Sequence, residues 1–269
     1  MFATYMNSLR ESMSRRVALV LFGVAILVAI AFNAVMHVRT AGDGAKMIFV
    51  GMQPPMPPAI GVPSVLESEL RATGSLWLLL ALFAATPLLT ATLEKGWLEL
   101  TFSKGTARWR IFLGRYLASL TLYSATFVLA TLPVALRLWW TTGIGTWRMG
   151  MALLIQTFSF AALLAVAALV TLPQKGVALP LIGSVAIWVL SPSLALRQET
   201  FYRIFSSHVV RGIVDWAYRI LPKCSELEDL CVSYIQRGTI ASSWPVWSTG
   251  VFTLAVLGTT LWALERKSF

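Results

Sequence analysis

The sequence has few charged residues for its length. They make up 13% of the 269 residues, whereas soluble domains average about 25%. Hydrophobic residues make up 57%, and a soluble fold of this size has too little interior to bury so much apolar surface. The scarcity of charge therefore excludes an ordinary soluble domain, and we expect much of the apolar surface to face lipid.

The sequence also lacks the motifs of a self-sufficient enzyme. It contains no Gly-Lys pair, so the phosphate-binding loop of ATPases is absent. Its two histidines, His37 and His208, are too few and too far apart for a typical zinc site. We expect no catalytic residue, no metal site and no cofactor bound by this chain. Because the basic residues flank apolar runs, we expect membrane lipids and not nucleic acid as partners.

Six uncharged stretches have the length of about 20 residues that a membrane-spanning helix needs. They cover residues 17–36, 74–93, 116–136, 149–172, 176–196 and 245–264. The first resembles a secretory signal in position, but its small-residue triplet 29–31 lies inside the apolar run, so we interpret it as a retained span. The sequence therefore predicts an all-α integral membrane protein with a single domain of six transmembrane helices.

The six stretches contain no Asp, Glu, Lys, Arg or His. Proton-coupled carriers keep such groups inside the bilayer, so we expect any transport to draw its energy from elsewhere. Asn33 and Gln156 are polar groups within the spans. They can line a translocation path or hydrogen-bond between helices, and the second role is the more common one.

An even number of spans places both termini on the same side. That side, with residues 1–16, 94–115, 173–176 and 265–269, carries 11 of the 22 basic residues in about half the length available to the others. The positive-inside bias therefore places both termini in the cytoplasm. We expect a multi-pass protein of a cell membrane, the inner membrane of a bacterium.

Two segments outside the spans show helical amphipathicity. Residues 1–16 have apolar side chains at helical spacing beside Arg10, Arg15 and Arg16, which predicts either an interfacial elbow helix or an extension of the first span. Within the outer loop 197–244, residues 201–221 show the same pattern with too much charge to cross the bilayer. We expect this second segment to lie along the surface or to enter the membrane partway. The proline-rich loop 37–73 predicts irregular or polyproline structure.

Both cysteines of the chain, Cys224 and Cys231, lie in the outer loop. Two cysteines on an oxidising side favour a disulfide. A straight helix separates Cα atoms seven residues apart by about 10 Å, and a disulfide needs less than about 7 Å. Either the segment turns and the bond forms, or the thiols are free.

The segment 94–115 between the second and third spans is polar, aromatic and mixed in charge. It contains, in this order, Glu94, Gly96, Leu98, Glu99, Leu100, Ser103, Arg108 and the run Ile111-Phe112-Leu113-Gly114-Arg115. This order resembles the permease subunits of type-2 ABC exporters, in which glutamates, a Gly-Thr-Leu-Glu-Leu-Leu-Leu-Ser-x-Pro pattern, an arginine and Leu-Gly-Lys follow one another. The chain departs from that pattern at Trp97, Thr101, Phe102 and Gly105.

The resemblance implies a transport function without bond-making residues. Such permeases work in pairs, same or related, and each binds a separate ATPase subunit that holds ATP and Mg. The segment 94–110 would form the cytoplasmic coupling helix, and residues 1–16 would add a second contact. The residues implied at the ATPase interface are Glu94, Gly96, Trp97, Leu98, Glu99, Phe102 and Arg108.

Two other functions stay open at this point. A membrane scaffold or assembly factor would use the same loop to hold a partner that is not an ATPase. A membrane-embedded enzyme acting on lipids would need clustered His, Asp or Glu near an interface, and the sequence has no convincing cluster.

Overall fold

The fold is built almost entirely from α-helices. The computed structural model describes residues 2–14, 16–40, 46–50, 54–91, 107–173, 176–204, 207–240 and 242–266. In chain order the elements are α1 (Phe2–Ser14), α2 (Arg16–Val35), β1 (Met36–Thr40), β2 (Lys46–Val50), α3 (Pro58–Thr90), α4 (Arg108–Thr142), α5 (Arg148–Thr171), α6 (Ala178–Ala195), α7 (Phe201–Ile204), α8 (His208–Ile220), α9 (Cys224–Arg237) and α10 (Trp244–Arg266).

Six of these helices, α2 to α6 and α10, are long and apolar enough to cross a membrane. This confirms the prediction of a multi-pass helical membrane protein. Helices α3, α4 and α5 bury half or more of their apolar windows and form the centre of the bundle, whereas α2, α6 and α10 bury less than a quarter. Large apolar side chains on the outer helices, such as Trp247, Val251 and Leu254, are exposed, so these faces suit lipid or another membrane protein.

The third helix begins much earlier than the sequence predicted. The prediction of irregular structure over 37–73 is wrong, because α3 starts at Pro58 and the strands Met36–Thr40 and Lys46–Val50 pair with each other as the two arms of a hairpin. Pro57 has an extended backbone and Pro58 occupies the first turn of the helix, where a proline lacks only an N–H that would be unpaired anyway. Pro63 lies inside the helix, and the apolar residues around it keep the helical period.

The hairpin and the start of α3 form one packed unit. Strand β1 pairs antiparallel with β2, from Met36 opposite Val50 to Thr40 opposite Lys46. Ile48 also bridges to Met56, and its side chain lies against Gly61, where an added Cβ would come within 3.1 Å of it. The hairpin therefore fixes how the chain enters the third helix.

The outer loop folds into three helices rather than one. Helix α8 has its large apolar residues Val209, Ile213 and Trp216 exposed, which confirms an amphipathic helix at this point of the chain. Helix α9 packs against α3, α5 and α6. Successive long helices of the bundle run in opposite directions, so α1, the last turn of α3, the first turn of α4 and the last turn of α10 lie at one end of the bundle.

Candidate functional site

The segment predicted to couple to an ATPase lies almost wholly outside the described residues. Of its predicted interface residues, only Arg108 is described, and it is the first residue of α4. The others, Glu94, Gly96, Trp97, Leu98, Glu99 and Phe102, fall in the undescribed range 92–106. The described structure does give the helices on both sides of the segment, which end at Thr90 and begin at Arg108.

A buried arginine joins these two helices to α1. Arg115 is 1% exposed. Its Nη1 donates to the carbonyl oxygen of Leu88, near the end of α3, over 2.9 Å. Its Nη2 lies 3.1 Å from the Oε2 of Glu11 on α1. One guanidinium therefore ties α1, α3 and α4 together beside the undescribed segment. The sequence placed Arg115 at the lysine of the Leu-Gly-Lys resemblance and among the basic residues of the loop, but did not indicate that it is buried.

Helix α1 approaches α4 closely enough to need a glycine. An added Cβ on Gly114 would lie 3.3 Å from the backbone nitrogen of Tyr5. About two turns further along α4, the hydroxyl groups of Tyr5 and Thr121 are 2.9 Å apart, and Ser8 on α1 is buried. The face of α1 that docks on α4 therefore carries polar side chains.

The apolar stripe of α1 lies on the opposite face. Met6 and Leu9 are only partly buried, and Met13 is 51% exposed. An amphipathic helix held by its polar face presents its apolar side chains outward, which is the orientation expected at a membrane interface. The prediction that residues 1–16 contain a helix is confirmed for Phe2–Ser14.

Asn33 and Gln156 are used in packing between helices. The Nδ2 of Asn33 donates to Ala29 on the same helix over 2.8 Å, and its backbone oxygen accepts a hydrogen bond from Arg137 on α4. Gln156 is buried on α5, with its amide nitrogen 3.0 Å from where a Cβ on Gly74 would lie. A role for either residue in a translocation path stays a prediction.

At the other end of the bundle, a charged cluster fastens α6 to α8. Arg197 Nε donates to Asp215 Oδ1 over 2.9 Å, and the Tyr202 hydroxyl donates to Oδ2 over 2.7 Å. The hydrogen bond from Tyr202, followed by that from Arg197, holds the pKa of Asp215 below its ordinary value. The cluster holds α8 by its polar side and leaves its apolar stripe exposed.

Helix α9 is held at both of its ends. Before its first turn, Lys223 Nζ donates to the backbone oxygen of Tyr218 over 3.0 Å and to Ser248 over 2.8 Å. After its last turn, Gly238 adopts a positive φ of 75°, and Arg148 of α5 donates to the carbonyl oxygen of Ile235 over 3.0 Å. These contacts fix α9 across the first turns of α5 and α10.

The disulfide between Cys224 and Cys231 is not formed. Both cysteines lie on α9, a regular helix that separates their Cα atoms by about 10 Å, and both thiols are free and buried. Burial raises the pKa of Cys224 to about 11 and that of Cys231 to about 12. The alternative with free thiols is therefore the one that the structure shows.

Helix α3 begins before the predicted span 74–93, and this extension carries charged residues. Glu69 lies in this membrane-span helix and is 0% exposed. Neither of its carboxyl oxygens has a hydrogen-bond partner among the described residues. The sequence contains no signal for this burial, because Glu69 stands between Glu67 and Arg71 in what reads as a polar loop.

In the part of the chain that the structure describes, no group of three His, Cys, Asp or Glu side chains is placed to hold a metal ion. No protein-family model matches the chain, and no curated protein matches it either.

Proposed function

We propose that this chain is the permease subunit of an ATP-driven exporter of the type-2 ABC class, which moves substrate across the membrane with energy from a separate ATPase subunit. The observation that carries the proposal is the buried Arg115, which links α1, α3 and α4 beside the segment that would bind the ATPase. A coupling segment needs such a link, because a push on a loop moves a helix bundle only if the loop is attached rigidly to it.

The arrangement suits a rigid-body transition. Helices α3 and α4 leave the coupling segment at Thr90 and Arg108, and both run into the centre of the bundle. Movement of the segment would therefore reach the central spans directly, and α1 would move with them through Glu11 and Arg115. Packed helices respond to such a push by shifting as units between discrete arrangements.

The proposal that the chain is an exporter permease also implies its partners. The segment 94–110 and α1 would contact one ATPase subunit, which would hold ATP and Mg, and the complex would contain two such subunits. The exposed apolar faces of α2, α6 and α10 offer surface to a second permease, same or related, as well as to membrane lipids. The protein would lie in the inner membrane of a bacterium, with both termini in the cytoplasm.

A pull-down tests the proposal. The tagged full-length chain would be extracted in mild detergent, and co-purifying proteins would be identified by mass spectrometry. We expect a stoichiometric ATPase with a phosphate-binding loop to co-purify with the wild type. A Glu94→Ala/Glu99→Ala variant that still inserts into the membrane should lose this ATPase. A Glu199→Ala/Asp229→Ala variant, changed at the opposite end of the bundle, is the control and should retain it. A stable complex with a different partner, without any ATPase, would overturn the proposal in favour of a scaffold.

A further inference from the structure

Glu69 has an environment that the proposed function does not use. It lies in the first half of α3 and is fully buried, with no partner for either carboxyl oxygen among the described residues. The hydroxyl of Thr73 donates to the backbone oxygen of Glu69 over 2.5 Å, so this neighbour does not serve the side chain. Buried polar groups are nearly always hydrogen-bonded, and an exception calls for an explanation.

The cations on the elements that surround α3 are engaged elsewhere. Arg137 on α4 donates to Asn33, Lys46 on β2 donates to the carbonyl oxygen of Thr141 over 2.5 Å, and Arg148 on α5 donates to Ile235. On α3 itself, Arg71 pairs with Glu67 over 3.0 Å and lies 3.9 Å from Asp229. Glu69 forms no ion pair within the described ranges.

The remaining ionisable groups on the packed elements supply no counter-charge. Helix α6 has none, and α2 has only Arg16, at its far end. The α4 basic residues Arg108, Arg110 and Arg115 lie at the far end of that helix. The others are Tyr116 and Tyr123 on α4, and Cys224, Glu226, Glu228, Asp229, Cys231, Tyr234 and Arg237 on α9. The acidic side chains among them would disfavour another negative charge nearby, and Arg237 is exposed in the last turn of α9.

The packing therefore accommodates the acid form of Glu69 and not the carboxylate. An ionised carboxylate without a partner inside a protein is so costly that the group takes up a proton instead. Ionisable groups buried in membrane spans commonly mark proton-binding positions.

We propose that Glu69 is a proton-binding site, occupied when the helices around α3 are packed as in this structure and emptied when they separate. On separation, water reaches the carboxyl group, its O–H bond breaks, and the proton passes to water; repacking takes a proton back from water. The ligand is the proton, and acid therefore favours the packed arrangement. This inference does not depend on the proposal that the chain is an exporter permease.

The side of α3 that faces α2 is incompletely packed in the turn before Glu69. Val65 and Ser68 line an apolar cavity of about 210 Å³ there, together with Phe32, Val35 and Met36. A separation of α2 from α3 would admit water to this side of α3.

The test is the pH dependence of unfolding. The full-length chain would be unfolded reversibly in mixed micelles, and its tryptophan fluorescence would be followed between about pH 5 and about pH 7.5, above the ordinary range of glutamate. We expect the unfolding constant of the wild type to rise with pH, relative to Glu69→Gln, by up to tenfold per unit, because the folded state alone holds the proton.

A neighbouring carboxyl provides the matched control. Glu67 is two residues away, partly exposed and paired with Arg71, so Glu67→Gln should follow the wild-type pH dependence. If Glu69→Gln does not accumulate, Glu69→Leu replaces it as a second neutral variant. Parallel pH curves for the wild type and the neutral variant would overturn the proposal. So would a wild-type unfolding constant that does not change over this range, and that result needs no variant.

Discussion

Arg115 connects three helices through two hydrogen bonds and has almost no contact with solvent. Its removal leaves the carbonyl oxygen of Leu88 without this donor and Glu11 without its cation. Since Glu11 keeps about a third of its side-chain surface exposed, water compensates part of that loss. The part of the loss that water does not compensate destabilises the junction of α1, α3 and α4 beside the proposed coupling segment.

We expect Arg115→Met to lower the free energy of unfolding by about 2 kcal/mol, in the range for hydrogen bonds to charged groups. The control is Arg110→Met on the same helix, since Arg110 is exposed and stacks near Trp109 at 5.4 Å. Unfolding in mixed micelles measures both variants. Equal losses for the two would mean that Arg115 has no special role in holding the junction.

The two thiols on α9 give a second test at the scale of single residues. Because burial raises the pKa of Cys224 to about 11 and that of Cys231 to about 12, both remain protonated at pH 8, and the thiol form is a poor nucleophile. We expect a maleimide to add no label to the folded chain at pH 8 and two labels after unfolding in SDS, by intact mass. A mass change of the untreated chain on reduction would reveal a disulfide and contradict this account.

At the scale of elements, the docking of α1 on α4 depends on Gly114. A larger side chain there would meet the backbone of α1 near Tyr5, 3.3 Å away. Gly23 on α2 is a suitable control, because an added Cβ there has nothing within 4 Å. Comparing the same substitution at Gly114 and at Gly23 therefore separates an effect on packing from an effect on helix propensity.

We expect Gly114→Leu to displace α1 and to speed amide hydrogen exchange across residues 2–14 by about tenfold or more, because opening of a docked helix then costs less free energy. Gly23→Leu should leave that exchange unchanged. Hydrogen-exchange mass spectrometry in nanodiscs would compare the exchange rates of residues 2–14 in the wild type and in both variants. Unchanged protection of α1 in Gly114→Leu would show that the close approach to α4 does not hold this helix.

The apolar parts of the fold could be predicted from the sequence, but the charged parts that pack inside it could not. The core of every span follows from an uncharged run, as in residues 149–172, observed as Arg148–Thr171. The start of α3 escaped prediction because Pro58, Glu67 and Arg71 read locally as a surface loop. Its helix depends on tertiary contacts with the hairpin and α9, which no local pattern encodes. For the same reason, Glu69 and Arg115 became visible as buried groups only in the structure.

Across the whole molecule, the two ends of the helix bundle differ. One end carries α1, the Arg115 junction and the segment proposed to bind an ATPase. The other carries the hairpin, α8 and α9, with the Asp215 cluster holding α8 to α6. The central helices α3 and α4 connect the two ends, so a change at the first end has a direct route to the second.

Site-specific photocrosslinking in intact cells would show directly whether the segment 94–110 contacts an ATPase. A photoreactive amino acid would replace Trp97 in the proposed coupling segment. In a second variant it would replace Trp147, which is exposed just before α5, at the opposite end of the bundle. We predict a single adduct with a phosphate-loop ATPase from position 97 and none with that ATPase from position 147. No ATPase adduct from position 97, from a chain that inserts normally, would contradict the account.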